Sequence, residues 1–145
     1  MSDGNSILAD EMYIIRLVNT YARGADTRDG ALFASVFAED GSLEYRGRTS
    51  TGTAQLSKIP NGLHAYEKTY HTVLNTVIDV DGDSATGEVY SASHHLRPIE
   101  GDKFSDRVMY ITYRDTYRRT AQGWRIATRL VDVQFIEYKI VGGPD

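Results

Sequence analysis

The sequence contains no cysteine, which excludes disulfides, thiolate nucleophiles and cysteine-based metal centres and leaves the redox compartment open. Basic residues are in deficit: 16 Lys and Arg against 20 Asp and Glu give a formal net charge of −4. That balance argues against an electrostatic grip on nucleic acid or on an anionic membrane. No apolar run approaches the length that spans a bilayer. The opening Met1-Ser-Asp-Gly-Asn-Ser has neither the basic start nor the apolar core of a signal peptide, so a cytoplasmic location is the expectation. Glycine-rich phosphate cradles, dinucleotide fingerprints and serine nucleophile elbows are missing as well.

What is present suits one domain. The 145 residues, 41% hydrophobic and 25% charged, are enough for a sizeable core and ordinary for a soluble globular protein. No repeat, linker or low-complexity segment divides residues 1–145. Ten tyrosines stand against four phenylalanines and one tryptophan. Tyrosine joins apolar area to a hydroxyl, which suits a greasy pocket that must orient something polar; most of the ten are equally well read as exposed strand residues.

The stretch Tyr13 to Asp26 spaces Ile14, Leu17, Val18, Tyr21, Ala22 and Ala25 at steps of three and four, the pattern of an amphipathic helix. Asp26 extends the Val18–Ala22 row by one turn. Either the helix ends and the carboxylate turns to water, or it enters the interior. Asp29 is a candidate N-cap for a second helix from Ala31 to Ala38, with Glu39-Asp40-Gly41 as its stop. A short strand is expected around Leu43–Arg46. A third helix is expected over Thr53 to Ile59, capped by Thr53 and broken by Pro60-Asn61-Gly62.

Thereafter the period is two. His71, Val73, Asn75 and Val77 share one strand face, and Asp81-Gly82 is a hairpin signal. Strands follow over about Ser84–Leu96, Ser105–Arg119 and Trp124–Tyr138, with a loop from Arg97 to Asp102 and a frayed tail Gly142–Asp145. Helices followed by long consecutive strands predict an α+β fold. Apolar residues on both strand faces predict helices on one side and a second subunit on the other.

His94 and His95, being adjacent on a strand, point to opposite faces and cannot chelate one metal together. The run Asp79-Val80-Asp81-Gly82-Asp83 fails as a calcium loop, with Ser84 where glycine is required. Arg114, Arg118 and Arg119, interleaved with Asp115, read as a solvated face. His71 alone reads as a core-edge histidine; beside an interior Asp26 it becomes a base whose tautomer the carboxylate fixes. Arg129 shares an otherwise apolar row with Ala127, Val131, Val133 and Phe135 if no bulge intervenes. There it meets a carboxylate, a substrate or a developing anion, or else snorkels to water.

The segments Tyr21-Ala-Arg-Gly-Ala-Asp26, Leu32-Phe33 through Phe37-Ala38-Glu39-Asp40-Gly41, His71 to Asn75, Val80-Asp-Gly-Asp83, Tyr113-Arg-Asp-Thr-Tyr-Arg-Arg and Gly123-Trp-Arg-Ile126 with Arg129 resemble the SnoaL-like branch of the nuclear transport factor 2-like superfamily. The resemblance runs from about Ile7 to Tyr138. It implies a cone in which N-terminal helices close over a strongly curved antiparallel sheet, mixed at most, around a deep apolar pocket. Members include scytalone dehydratase, bile acid dehydratase, a lindane dehydrochlorinase, isomerases and polyketide cyclases.

By position Asp26 and His71 match the aspartate–histidine pair of the dehydratases and the dehydrochlorinase. Tyr21 and Arg129 match a tyrosine and an arginine found there, and Tyr113 matches a pocket tyrosine. Asn75 and His95 have looser counterparts as substrate contacts. The resemblance thus implies a lyase or isomerase that needs no cofactor and no metal, acting on a hydrophobic hydroxylated cyclic molecule. A non-catalytic binding module, a partner subunit and a polyketide cyclase are its rivals. A homodimer or homotrimer is the expected assembly.

Overall fold

A computed structural model describes residues 4–144. The first helix, α1, runs Gly4–Asp26, starting well before the periodic stretch. A buried acid explains the extension. Asp10 accepts the indole N–H of Trp124 at 2.8 Å and Nη2 of Arg119 at 2.9 Å, tying the first half of the helix to the last two strands.

Helix α2 (Gly30–Ser35) has the expected cap, with the Leu32 N–H donating to Asp29 Oδ1 at 2.9 Å. It stops three residues before the expected Ala38, and Glu39-Asp40-Gly41 is no turn but part of β1 (Phe37–Tyr45). The reason is tertiary: the chain here pairs in parallel with the last strand, and Val36 O takes the Ile126 N–H at 2.9 Å. Local propensity yields to that ladder. Arg46 and Gly47, both at positive φ, turn β1 into a short strand β2 (Arg48–Thr51) that the alternation did not predict.

Helix α3 is only Thr53–Leu56, and its cap residue is Gly52 at φ 78° rather than Thr53. Pro60-Asn61-Gly62 does not end a helix but lies within a 3₁₀ turn, Ile59–Ala65. Proline at the start of such a turn lacks an N–H that would have had no partner anyway.

Four long strands complete the chain: β3 (Lys68–Asp81), β4 (Ser84–Pro98), β5 (Lys103–Thr120) and β6 (Gly123–Gly142). The sheet order is β2-β1-β6-β5-β4-β3, antiparallel throughout except for the parallel β1/β6 pair. The sheet is therefore mixed, and it is open. Gly142 still pairs, and Gly143 N–H donates to Asp102 O at 3.0 Å, so the expected fraying does not extend over Gly142–Gly143. Asp145 lies outside the described residues.

Bulges bend the sheet and reassign faces. One interrupts β3 between Val73 and Thr76, leaving Asn75 exposed while Thr76, Ile78 and Val80 turn inward. Two interrupt β5/β6, between Thr116 and Tyr117 and between Tyr110 and Ile111. The second puts Phe135 on the outer face, 61% exposed and stacked on Tyr110 with centroids 4.4 Å apart. The row Ala127 to Phe135 is thus broken at both ends.

The concave face holds the core. Ile14, Val18, Tyr21 and Ala25 of α1 and Phe33 of α2 pack against Val89, Ile111, Tyr117, Trp124 and Ile126. No helix among the described residues is long and apolar enough to cross a membrane. α1 and α2 pack closely at Gly24, where a Cβ would meet Phe33 N at 2.7 Å and its Cα at 2.8 Å. Alanine favours a helix by about 1 kcal/mol over glycine, but a clash with backbone cannot be relieved by a rotamer. Gly24→Ala is expected to destabilise the fold by about 1–3 kcal/mol in urea denaturation; a gain in stability would show that the two helices do not touch there.

Candidate active site

Asp26 is the last residue of α1, and its carboxylate faces inward, 23% exposed. Oδ1 accepts from Thr69 Oγ1 at 2.9 Å and meets His71 Nδ1 at 2.6 Å, while Oδ2 accepts the His71 backbone N–H at 2.8 Å. Arg28, at φ 57°, folds back so that Nη1 reaches Thr69 Oγ1 at 2.7 Å and the Asp26 carbonyl at 3.0 Å. Burial pushes the Asp26 carboxyl up, but the hydrogen bonds and charge of His71, with Thr69, outweigh it and hold the group below the usual carboxylate range. Asp26 is therefore ionised at neutral pH and can only accept. Facing an acceptor, His71 Nδ1 carries a hydrogen, and its Nε2 has no partner among the described residues.

His95 stands across from it on β4, the two rings edge-on with centroids 5.6 Å apart. Its Nδ1 lies 3.1 Å from the carbonyls of both Ser93 and Arg107. Carbonyls only accept, so Nδ1 carries the hydrogen and Nε2 is again the open acceptor. Burial pushes the His95 imidazole down, and the charges of His71 and Arg107 act in the same direction. His95 is neutral at pH 7. His94 points the other way, with Nδ1 2.6 Å from Asp106 Oδ2, as expected of adjacent strand residues. Among the described residues, no group of three or more His, Asp or Glu side chains is placed to hold a metal ion.

Arg129 is 1% exposed, the interior one of its two expected placements. Its charge is met by Asp115, with Nε 2.8 Å from Oδ1 and Nη2 2.6 Å from Oδ2. The guanidinium carbon lies 4.2 Å from the centroid of the Tyr21 ring and 4.3 Å from that of Tyr113. It sits behind the two phenols rather than on the cavity wall. Asp115, read from the sequence as part of a solvated face, is buried and also accepts from Tyr117 OH at 2.5 Å. Burial raises the Tyr21 and Tyr113 phenols while the Arg129 charge opposes it. Both remain protonated donors at neutral pH.

These groups enclose a cavity of about 230 Å³ between the helices and the sheet. Phe33, Leu43, Leu63, Met109, Ile111 and Val131 make most of its apolar wall; Tyr21, Tyr113, His71 and His95 face it, and Tyr45, Tyr66 and Arg107 line it as well. Of the residues singled out from the sequence, Tyr21, His71, His95 and Tyr113 line one cavity, with Asp26 bonded to His71. Arg129 is behind it, and Asn75 is outside it, turned away by the β3 bulge. The sequence reasoning missed Thr69, Arg28, Asp115 and Arg107. Thr69 had a signal, two residues before His71 on the same strand face; the others had none without the register.

Helices laid on an open mixed sheet, with a cavity on the concave side, define a nuclear transport factor 2-like protein of the cystatin-like fold, the architecture of solved structures bearing those descriptions. Residues 6–130 match the SnoaL-like domain, and the chain belongs to that family. A curated relative, the uncharacterised protein Rv2910c of Mycobacterium tuberculosis, is 27% identical over 129 residues, covering 85% of this chain and 84% of its own. A structure from Novosphingobium aromaticivorans, proposed to be a scytalone dehydratase, is 23% identical, covers 99% of this chain and 97% of that one, and superposes with a TM-score of 0.80. The hexachlorocyclohexane dehydrochlorinase LinA-type3 of Novosphingobium barchaimii is 18% identical, with 91% of each chain covered and a TM-score of 0.79. At these identities the solved structures speak to the fold.

The depressed Asp26 carboxyl makes stability depend on pH with a defined sign. Its contribution is complete above the unfolded value near 3.8 and is lost as pH falls through the lower folded value. Asp26→Asn is expected to be less stable than the parent at pH 7, the gap closing below about pH 4. A gap that is constant from pH 7 to pH 2 in parallel denaturation curves would contradict the ionised, hydrogen-bonded carboxylate.

Proposed function

We propose that the chain is a cofactor-independent lyase or isomerase of the dehydratase type, acting by histidine–aspartate chemistry on a hydrophobic, hydroxylated cyclic small molecule. The observation that carries this reading is His71: an imidazole with Nδ1 fixed by a carboxylate and Nε2 open to an apolar cavity. In the reaction Nε2 takes a proton from the carbon beside a carbonyl. The electron pair moves to the carbonyl oxygen, which the Tyr21 and Tyr113 hydroxyls receive as donors, their acidity favoured by the Arg129 charge behind the rings. Asp26 stabilises the imidazolium. The pair then returns to expel a β-hydroxyl, which leaves as water with the proton that His71 took. Return of that proton to a different carbon is the isomerase outcome. His95, neutral and with Nε2 open, accepts a hydrogen bond from a substrate hydroxyl. Two structural neighbours bear names of eliminations, of water and of hydrogen chloride, reactions in which a base such as His71 would remove the proton.

A positioned base contributes on the order of 100- to 10,000-fold. His71→Ala is expected to lose that much turnover on a β-hydroxy cyclic ketone that the parent dehydrates, with an unchanged melting curve. Full activity in this variant sinks the mechanism. A parent that turns over nothing, yet binds apolar ligands as well as an Asp26→Asn, His71→Ala double variant does, is the result expected of a binding module.

We also infer that the outer sheet face is covered by one or two further copies of the chain. Tyr70, Leu74, Val77 and Phe135 are each more than half exposed there, an apolar band of the kind that marks an interface. Sedimentation at micromolar concentration is expected to show a dimer or trimer, and a monomer would contradict it.

A further inference from the structure

The acid–base scheme leaves one charged group on the cavity wall without a task. Arg107 lies on the inner face of β5 in line with Met109 and Ile111, and the register sets it beside His95 on β4 and Tyr138 on β6. The other arginines of that strand, Arg114, Arg118 and Arg119, each meet a carboxylate. Arg107 meets none among the described residues. Its Nη1 lies 3.1 Å from Met109 Sδ, a weak acceptor, and its guanidinium is otherwise within reach of the Tyr45 and Tyr138 hydroxyls.

The rim repeats the same sign. The guanidinium carbon of Arg97 lies 4.7 Å from the Tyr66 centroid, and that of Arg46 lies 5.7 Å from the Tyr45 centroid. In a protein of net charge −4, two further arginines thus lie against rings that line the cavity with Arg107. Filling this cavity with a neutral apolar molecule would strip water from Arg107 and give it nothing in return, which is costly for a charge. A carboxylate fits the planar fork and the phenolic donors beside it. At about 230 Å³ the space is below the ~300–1,000 Å³ of pockets for drug-sized ligands, so one or two rings fill it.

We propose that Arg107, with Tyr45 and Tyr138, anchors an anionic group, and that the ligand is a small one- or two-ring carboxylate held with its acid at the mouth and its ring against His71 and His95. The assignment rests on the cavity being a substrate site. It adds the sign and position of the substrate's charge, and it makes the rim an electrostatic entry for anions.

The test is calorimetric titration with 2-naphthoate and with 2-naphthamide, which share size and ring and differ in charge. The parent is expected to bind the acid about tenfold or more tightly than the amide, with a preference that shrinks as salt is raised. Arg107→Gln is expected to bind the amide as the parent does and to lose the preference for the acid, while Arg107→Lys retains part of it. Equal binding of the two probes by the parent, a preference that survives Arg107→Gln, or binding of neither probe overturns the proposal. If Arg107→Gln does not fold, the parent's acid-to-amide ratio and its salt dependence decide alone. The readout is independent of His71. Turnover lost in His71→Ala without any acid preference in the parent would sink the anchor and leave the acid–base mechanism standing. An acid preference with full activity in His71→Ala would do the reverse.

Discussion

The structure of the site depends on a carboxylate placed where a helix least favours one. Asp26 ends α1, at the negative pole of the helix dipole, where cations rather than anions are stabilised. The local answer is Arg28, whose Nη1 donates to the carbonyls of Ala25 and Asp26 at 3.3 and 3.0 Å. The tertiary answer is β3, which supplies Thr69 Oγ1, the His71 N–H and the His71 ring. Each donor comes from a different kind of group, and together they fix the height of β3 against the end of α1. Sliding β3 by one residue would turn Thr69 and His71 to the outer face together. The bond network that orients the imidazole is thus the same one that sets the register of a sheet edge against its helix.

A second ion pair lies deeper and does different work. Asp115 and Arg129 are both fully buried, joined by two hydrogen bonds and enclosed by Tyr21, Tyr113 and Tyr117. Burial works against the Arg129 charge and the Asp115 carboxylate outweighs it, so the guanidinium stays protonated. Buried pairs of this kind contribute little net stability compared with apolar side chains of the same volume, but removing one partner costs about 3–5 kcal/mol. Their value here is in what they do to the phenols. The Arg129 charge works against the burial that raises both phenols, and the Tyr21 and Tyr113 hydroxyls stay protonated beside it.

The sequence shows some of this and hides the rest for definite reasons. The period of α1 marked Asp26 as anomalous, and the alternation of β3 put His71 on one face; both are local patterns, and both survive in the fold. The β-strand faces near the bulges were illegible, because a bulge is set by pairing with a neighbour and leaves no trace in alternation. That is why Asn75 and Phe135 moved outward. The helix expected to end at Ala38 gave way at Phe37 because a parallel ladder to β6 claimed that backbone, a contact across some 90 positions of sequence. For Arg129 the sequence left burial and snorkelling to water both open, and the fold buries it. Its partner Asp115 was not seen, since the alternating arginines around it spelled a solvated strand and only the β5/β6 register sets Asp115 opposite Arg129.

One atom sharpens the part Arg129 plays. Its Nη1 is buried without a hydrogen-bond partner, a state that ordinarily costs about 1–3 kcal/mol. Nε and Nη2 are committed to Asp115, so the remaining nitrogen faces an enclosure made of aromatic rings. The π faces of Tyr21 and Tyr113 are the available electron density, and a guanidinium between two such faces recovers part of what a missing acceptor withholds. That arrangement closes Arg129 on all sides. Arg129 therefore reaches the cavity only through the phenols, whereas Arg107, partly buried, is itself part of the cavity lining. Two arginines on neighbouring strands of one sheet face thus differ in kind: the inner one is committed to Asp115 and to two ring faces, and the outer one lines the cavity with no carboxylate partner among the described residues.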